Sequence, residues 1–184
     1  DSYRKLFDHF QPQLLVGLTA TPERMDGKDL RPDFGNRISA EIRLPQALQA
    51  GLLTPFQYLC ISDDTDLSDD SLWSGQKYNI ERLADKLCAK TRAQLIVDTL
   101  HKYLADEYTC RALCFCVNKR HADFMAEQLR LYGFNAQSLT SDTPADKRKQ
   151  LAKDLREGTL HYLCVVDIFN EGVDIPEVDT VLFL

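Results

Sequence analysis

The chain has 184 residues, 44% hydrophobic and 27% charged, with a formal net charge of −6. These values suit one globular domain, or one and a fragment, and exclude a fibrous, low-complexity or polybasic nucleic-acid-binding chain. No apolar run approaches the ~18 residues of a membrane span, and Asp1-Ser2-Tyr3-Arg4-Lys5 is not followed by a signal-peptide core, so a cytoplasmic protein without a membrane partner is expected.

In chain order, residues 2–10 carry an apolar stripe at helical spacing that Pro12 ends, and residues 14–18 read as a short apolar strand. Residues 19–33 are polar loop with Pro22, Gly27 and Pro32. Ile38, Ala40, Ile42 and Leu44 alternate as one face of a strand. Pro45 opens a short helix that Gly51 stops, and residues 56–61 are another strand candidate. The acidic run 62–71 holds Asp63, Asp64, Asp66, Asp69 and Asp70. It lacks the glycine and final glutamate of a calcium loop, and reads as a solvated surface loop. Between 78 and about 107, Leu83, Leu87, Leu95, Ile96, Leu100 and Leu104 fall at helical spacing, as one helix or two.

Regular alternation follows. Residues 112–117 form a strand, 120–132 a helix ended by Gly133, and 136–139 a strand. Thr143 suits the N-cap of a helix running to Glu157, with Pro144 in its first turn, Asp146 at the capping-box position and Gly158 as its stop. Residues 162–166 and 180–184 are further strands. Strand, helix, strand, helix, strand predicts an α/β fold: a parallel sheet with right-handed crossovers and helices on both faces. The six cysteines, Cys60, Cys88, Cys110, Cys114, Cys116 and Cys164, include no C-x-x-C pair, and the four histidines are scattered. Both patterns point to buried, reduced thiols and away from a metal centre.

In such sheets ligands sit beyond the carboxyl ends of the strands. The residues there are Thr19-Ala20-Thr21-Pro22, Asn118-Lys119-Arg120-His121, Thr140-Ser141-Asp142, then Asp167 and residues 170–176. Asn118 can cap the next helix, whose free amides and positive dipole end suit a phosphate, and Lys119 and Arg120 add charge beside it. Gly172 leaves room for a ligand to approach the backbone. Each feature also has a plain reading, because loops meet water and Asn118 caps its helix whatever binds.

Together these segments resemble superfamily 2 helicases. Gly17-Leu18-Thr19-Ala20-Thr21-Pro22 looks like motif III, and Leu113-Cys114-Phe115-Cys116-Val117-Asn118-Lys119-Arg120-His121-Ala122-Asp123 like motif IV. Leu139 to Arg148, with Arg156-Glu157-Gly158, looks like the next family segment, and Val166-Asp167-Ile168-Phe169-Asn170-Glu171-Gly172-Val173-Asp174-Ile175-Pro176-Glu177-Val178 like motif V. The wording from Glu171 to Val178 is nearest the excision-repair and restriction-translocase branch. Phe34-Gly35 and Pro45-Gln46-Ala47-Leu48 are most like bacterial DEAD/DEAH-type helicases with an added phospholipase-D-type nuclease domain. Val166 stands where many relatives place threonine, Glu171 where DEAD-box members place arginine, and Thr140-Ser141 replaces a His-Gly pair.

The resemblance implies a fragment. Residues 1–28 would be the C-terminal remnant of a first RecA-like ATPase domain. Residues 29–75 would be a linker with lead-in strands and a helix, and residues 76–184 a second RecA-like domain that stops before the arginine-finger motif. The phosphate loop G-x-x-x-x-G-K-[S/T] is absent from the sequence, so the chain alone is expected to bind no cofactor and to lack ATPase activity, while the full-length parent uses ATP and Mg²⁺. Thr19 and Thr21 would couple nucleotide state to the nucleic-acid groove. Asn118, Lys119, Arg120, Asp142 and Asp167 would face DNA or RNA. Gly172 and Asp174 would line the ATP cleft, Asp174 reaching the ribose. The strand at 14–18, separated from the missing first domain, is expected to seek pairing in trans. The alternative is a non-catalytic RecA-like interaction or regulatory module.

Overall fold

The computed structural model describes residues 2–10, 12–19, 29–75, 77–166 and 175–184. The chain divides into two compact units, residues 1–60 and 61–184, the boundary falling inside the stretch read as linker.

The first unit holds helix α1 (Ser2–Phe10), a 3₁₀ turn at Arg31–Phe34 and helix α2 (Leu44–Gln49). Pro45 lies in the first turn of α2, the Gln46 side chain accepts from the Arg43 amide at 2.8 Å, and Gly51 follows the helix at φ 67°. Phe7 meets Phe34 edge to face, at 6.3 Å between ring centroids. Gly17 lies against the same Phe34 ring, where an added Cβ would come within 2.5 Å of Cζ, so the chain can run this close only without a side chain. The three strands expected at 14–18, 38–44 and 56–61 do not form: these residues are irregular, apart from the helical Leu44, and Leu18 is 96% and Tyr58 75% exposed. Alternation describes one face of a strand, whereas a strand also needs a neighbouring ladder, and none pairs with these segments among the described residues.

The second unit begins with a small hairpin, β1 (Trp73–Ser74) and β2 (Lys77–Tyr78), followed by α3 (Ile80–Leu87) and α4 (Lys90–Tyr103). The helical stretch read from 78 onward is therefore two helices, broken at Cys88-Ala89. Then come β3 (Ala112–Phe115), α5 (Lys119–Leu131), β4 (Ala136–Leu139), α6 (Ala145–Glu157), β5 (Tyr162–Val165) and β6 (Thr180–Phe183). The four long strands form one parallel sheet in the order β4-β5-β3-β6. Leu113 pairs in register with Leu163 on one side and Val181 on the other.

Strand periodicity sorts the core into two layers. Ala112, Cys114 and Cys116 with Tyr162 and Cys164 face α4 and α5, meeting Ala93, Val97, Ala122, Met125 and Leu129. Leu113, Leu163 and Val165 face α6, meeting Leu151 and Leu155. The buried Tyr162 hydroxyl donates to the Glu107 carbonyl at 2.6 Å. All six thiols are free; Cys110, Cys114, Cys116 and Cys164 are buried, Cys88 is half-buried and Cys60 is exposed.

Two local expectations change. Helix α6 starts at Ala145 with Pro144 as its N-cap residue and no side-chain cap. The Thr143 hydroxyl instead accepts from the Thr140 amide at 3.0 Å, closing the turn before the helix. The acidic run is not wholly solvated. Asp66 and Asp69 cap their own turns, accepting amide protons two residues on. Asp63 does the same for Thr65 and also lies 2.7 Å from Arg92 of α4, with both side chains mostly buried.

Leu163 is fully buried in the layer facing α6. Leu163→Ala is expected to cost about 2–5 kcal/mol, whereas Leu18→Ala at the exposed end of 14–18 is expected to change stability by less than about 0.5 kcal/mol. Urea unfolding of the two variants checks the pair.

Candidate nucleic-acid interface

Just past the end of β3, the Cys116 amide donates to the Val165 carbonyl at 2.9 Å. Beyond it Asn118 is extended (φ −156°, ψ 176°) and caps α5 by accepting from the His121 amide at 2.9 Å. This side-chain bond satisfies one of the amides that a helix start leaves unpaired, and turns the first residues of α5 across the carboxyl end of the sheet. An open groove of about 700 Å³ lies there, lined by Ile80 and Glu81 of α3, by Cys116, Val117 and Val166 at the strand ends, and by Asn118, Lys119 and Arg120.

Asn118, Lys119 and Arg120 each have a partner at this edge. The Asn118 amide nitrogen donates to Glu81 Oε1 at 3.1 Å. Lys119 Nζ lies 2.7 Å from both oxygens of Asp142. Arg120 reaches Asp85 Oδ1 at 2.6 Å and the Glu81 carbonyl at 3.1 Å. The hydrogen bond that Arg120 donates to Asp85, more than any other influence, raises the Arg120 pKa. The loop bearing Asp142 is held by Arg148, which donates to the carbonyls of Thr143 and Ser141 at 2.7 and 2.6 Å.

Beneath the first turn of α5, His121 is fully buried. Burial, then the neighbouring Arg92 and Arg120, lowers its pKa from 6.5 to about 4. The Val117 amide donates to His121 Nδ1 at 3.4 Å, which places the proton of the neutral ring on Nε2, an atom with no hydrogen-bond partner. Arg92 lies mostly buried beside it. Its Nε is 2.7 Å from Asp63 Oδ2, an ion pair by distance whose N–H is not aimed as a hydrogen bond.

Of the residues singled out from sequence, the structure brings Asn118, Lys119, Arg120 and Asp142 to one edge. Thr19 is exposed in the first unit. Thr21, Asp167, Gly172 and Asp174 lie outside the described residues. No group of residues able to hold a metal ion occurs among the described ones. Sequence reasoning did not find Glu81 and Asp85, although their i, i+4 spacing puts both on one helical face. It listed His121 without anticipating its burial.

Residues 95–184 match the family model described as the helicase conserved C-terminal domain. A 51.5 kDa protein of a Lactococcus phage is 25% identical over 176 residues, covering 96% of this chain and 37% of that protein. A Saccharomyces cerevisiae protein carrying the name ATP-dependent helicase IRC3 is 25% identical over 189 residues, covering 99% and 27%. The chain thus spans about a third of the length of these relatives. Among solved structures, the Pyrococcus furiosus Hef helicase domain aligns with a TM-score of 0.41 and 22% identity over 54% of this chain and 19% of that one.

The buried imidazole gives a pH dependence. A folded pKa of about 4 against 6.5 means that neutral His121 stabilises the fold fully above pH 6.5, and that this contribution is lost as pH falls toward 4. The loss is expected to reach up to about 3 kcal/mol. Urea unfolding of the wild type and of His121→Gln from pH 7 to pH 4 checks it: the difference in stability between the two is expected to shrink steadily on acidification.

Proposed function

We propose, from the premise that residues 95–184 are a helicase conserved C-terminal domain, that this chain serves an ATP-dependent helicase or translocase. Its second unit holds one strand of DNA or RNA by the backbone. The observation that carries this reading is the convergence of Asn118, Lys119 and Arg120, from the first turn and cap of one helix, on one open groove at the sheet's carboxyl edge. A phosphate there would meet an ammonium, a guanidinium, a side-chain amide and the positive end of a helix, none of which reads base identity. Asp142 serves by holding Lys119 in place and Arg148 by holding the Asp142 loop, rather than by touching the strand.

Thr19 and Thr21 are assigned to coupling, Asp167 to the strand, and Gly172 and Asp174 to the ATP cleft, by the motif resemblance alone. ATP bound with Mg²⁺ would supply the energy for domain closure in the whole protein, and its branch is the excision-repair or restriction-translocase one. The six free thiols suit a reducing cytoplasm.

The groove has few cations, so binding is expected to be weak and salt-sensitive. Lys119→Ala with Arg120→Ala removes two phosphate contacts. That is expected to weaken binding roughly tenfold at low salt and to flatten the log–log salt slope by about 1.4. Fluorescence anisotropy with a labelled single-stranded oligonucleotide across a salt series measures both. An unchanged affinity and slope would place the strand elsewhere.

A further inference from the structure

The groove's cations are already matched by carboxylates of the same unit. Two of the three come from α3: Asp85 on the Arg120 guanidinium and Glu81 on the Asn118 amide, with the Glu81 carbonyl also accepting from Arg120. The third, Asp142, holds Lys119. The two cations and the Asn118 amide therefore already have carboxylate partners before a polyanion arrives.

We propose that Glu81 and Asp85 are built-in competitors for the nucleic-acid backbone. They occupy the donors at the start of α5 when no strand is bound, a phosphate binds by displacing them, and they thereby set the affinity of the interface. The inference rests on reading the start of α5 as the backbone contact. Glu81 and Asp85 are one helical turn apart, so they lie side by side on α3 opposite the first turn of α5. Asn79 fixes the start of α3, its side chain accepting from the Arg82 amide at 3.2 Å, so this acidic face is held by the fold.

The contacts are strong enough to occupy the donors and weak enough to exchange. Arg120 and Asp85 are 50% and 64% exposed, and an ion pair that open to water holds its partner weakly. A backbone phosphodiester offers two oxygens sharing one negative charge, which a guanidinium grips with two parallel bonds, whereas Asp85 here lies against one Arg120 nitrogen at 2.6 Å. Asn118 need not give up its cap, because its oxygen stays on the His121 amide while only its nitrogen changes partner. The displaced Asp85 and Glu81 side chains are exposed and can turn into solvent, but they remain near the phosphate and repel it.

The test is strand binding by this chain, read as anisotropy of a labelled single-stranded oligonucleotide at low salt. The variants are Glu81→Gln/Asp85→Asn, Lys119→Ala/Arg120→Ala, the four changes together, and Asp106→Asn/Glu157→Gln. The last pair removes the same charge beyond the amino ends of the strands. Glu81→Gln/Asp85→Asn is expected to tighten binding roughly three- to tenfold with an unchanged melting temperature, the distant pair to change it less than roughly twofold, and the gain to vanish when Lys119 and Arg120 are also removed. If Lys119→Ala/Arg120→Ala binds like the wild type, the backbone-contact reading fails and this inference with it. If that variant loses affinity while Glu81→Gln/Asp85→Asn gives no gain, or a gain the distant pair matches, the competitor role alone is overturned.

Discussion

Strand β3 is hydrogen-bonded along both edges, to β5 and β6, and buried on both faces, between α4 and α5 on one side and α6 on the other. A strand in that position can carry almost no polar side chain, and Ala112, Leu113 and Cys114 are all buried. Parallel pairing adds a second constraint. Because β3, β4 and β5 run the same way, the chain leaves each at the same end of the sheet, and it returns through α5 after β3 and through α6 after β4. The polar residues excluded from the strands therefore collect at one edge. The first turn of α5 and the loop after β4 meet there for that reason, joined by the Lys119–Asp142 pair.

That edge is shaped by what lies beneath it. Burying His121 as a neutral ring lets its amide take the Asn118 cap while its Nδ1 accepts from Val117. The turn from β3 into α5 is thus closed at both ends by one residue. A charged imidazole there would face Arg92 and Arg120 in a poorly solvated site. Arg92 in turn draws Asp63 onto α4, so a residue of the acidic run becomes part of the domain's underside. Polar groups at this edge are thereby held in fixed places, and the cations facing the groove are kept near charge balance by acids of α3 and of the β4 loop.

The sheet and its helices were legible because apolar residues occupy both parities of 112–116 and 162–165, a pattern that only a doubly covered strand tolerates. Gly133 and Gly158 marked helix ends correctly because α5 and α6 stop where a left-handed residue is needed. The segments 14–18, 38–44 and 56–61 misled for the opposite reason. Their alternation is a local property, pairing is not, and nothing in the sequence says whether a neighbour will be present. Thr143 was misread because two roles compete for its hydroxyl, and the turn at Thr140 takes it. At the site, Asn118, Lys119, Arg120 and Asp142 could be found because they follow strands. Glu81 and Asp85 could not, since their part depends on α3 lying against α5, a contact between residues nearly forty positions apart.

Residues 95–184 match the helicase conserved C-terminal domain, and the proposed place where a strand is held is the carboxyl edge at β3 and β5. Backbone-amide NMR of the chain, titrated with a single-stranded oligonucleotide, tests it most directly. The account expects the largest shifts at residues 117–121, with a second group at 81–85 as α3 gives up its partners. Shifts concentrated on β6, with residues 117–121 unmoved at saturation, would contradict it.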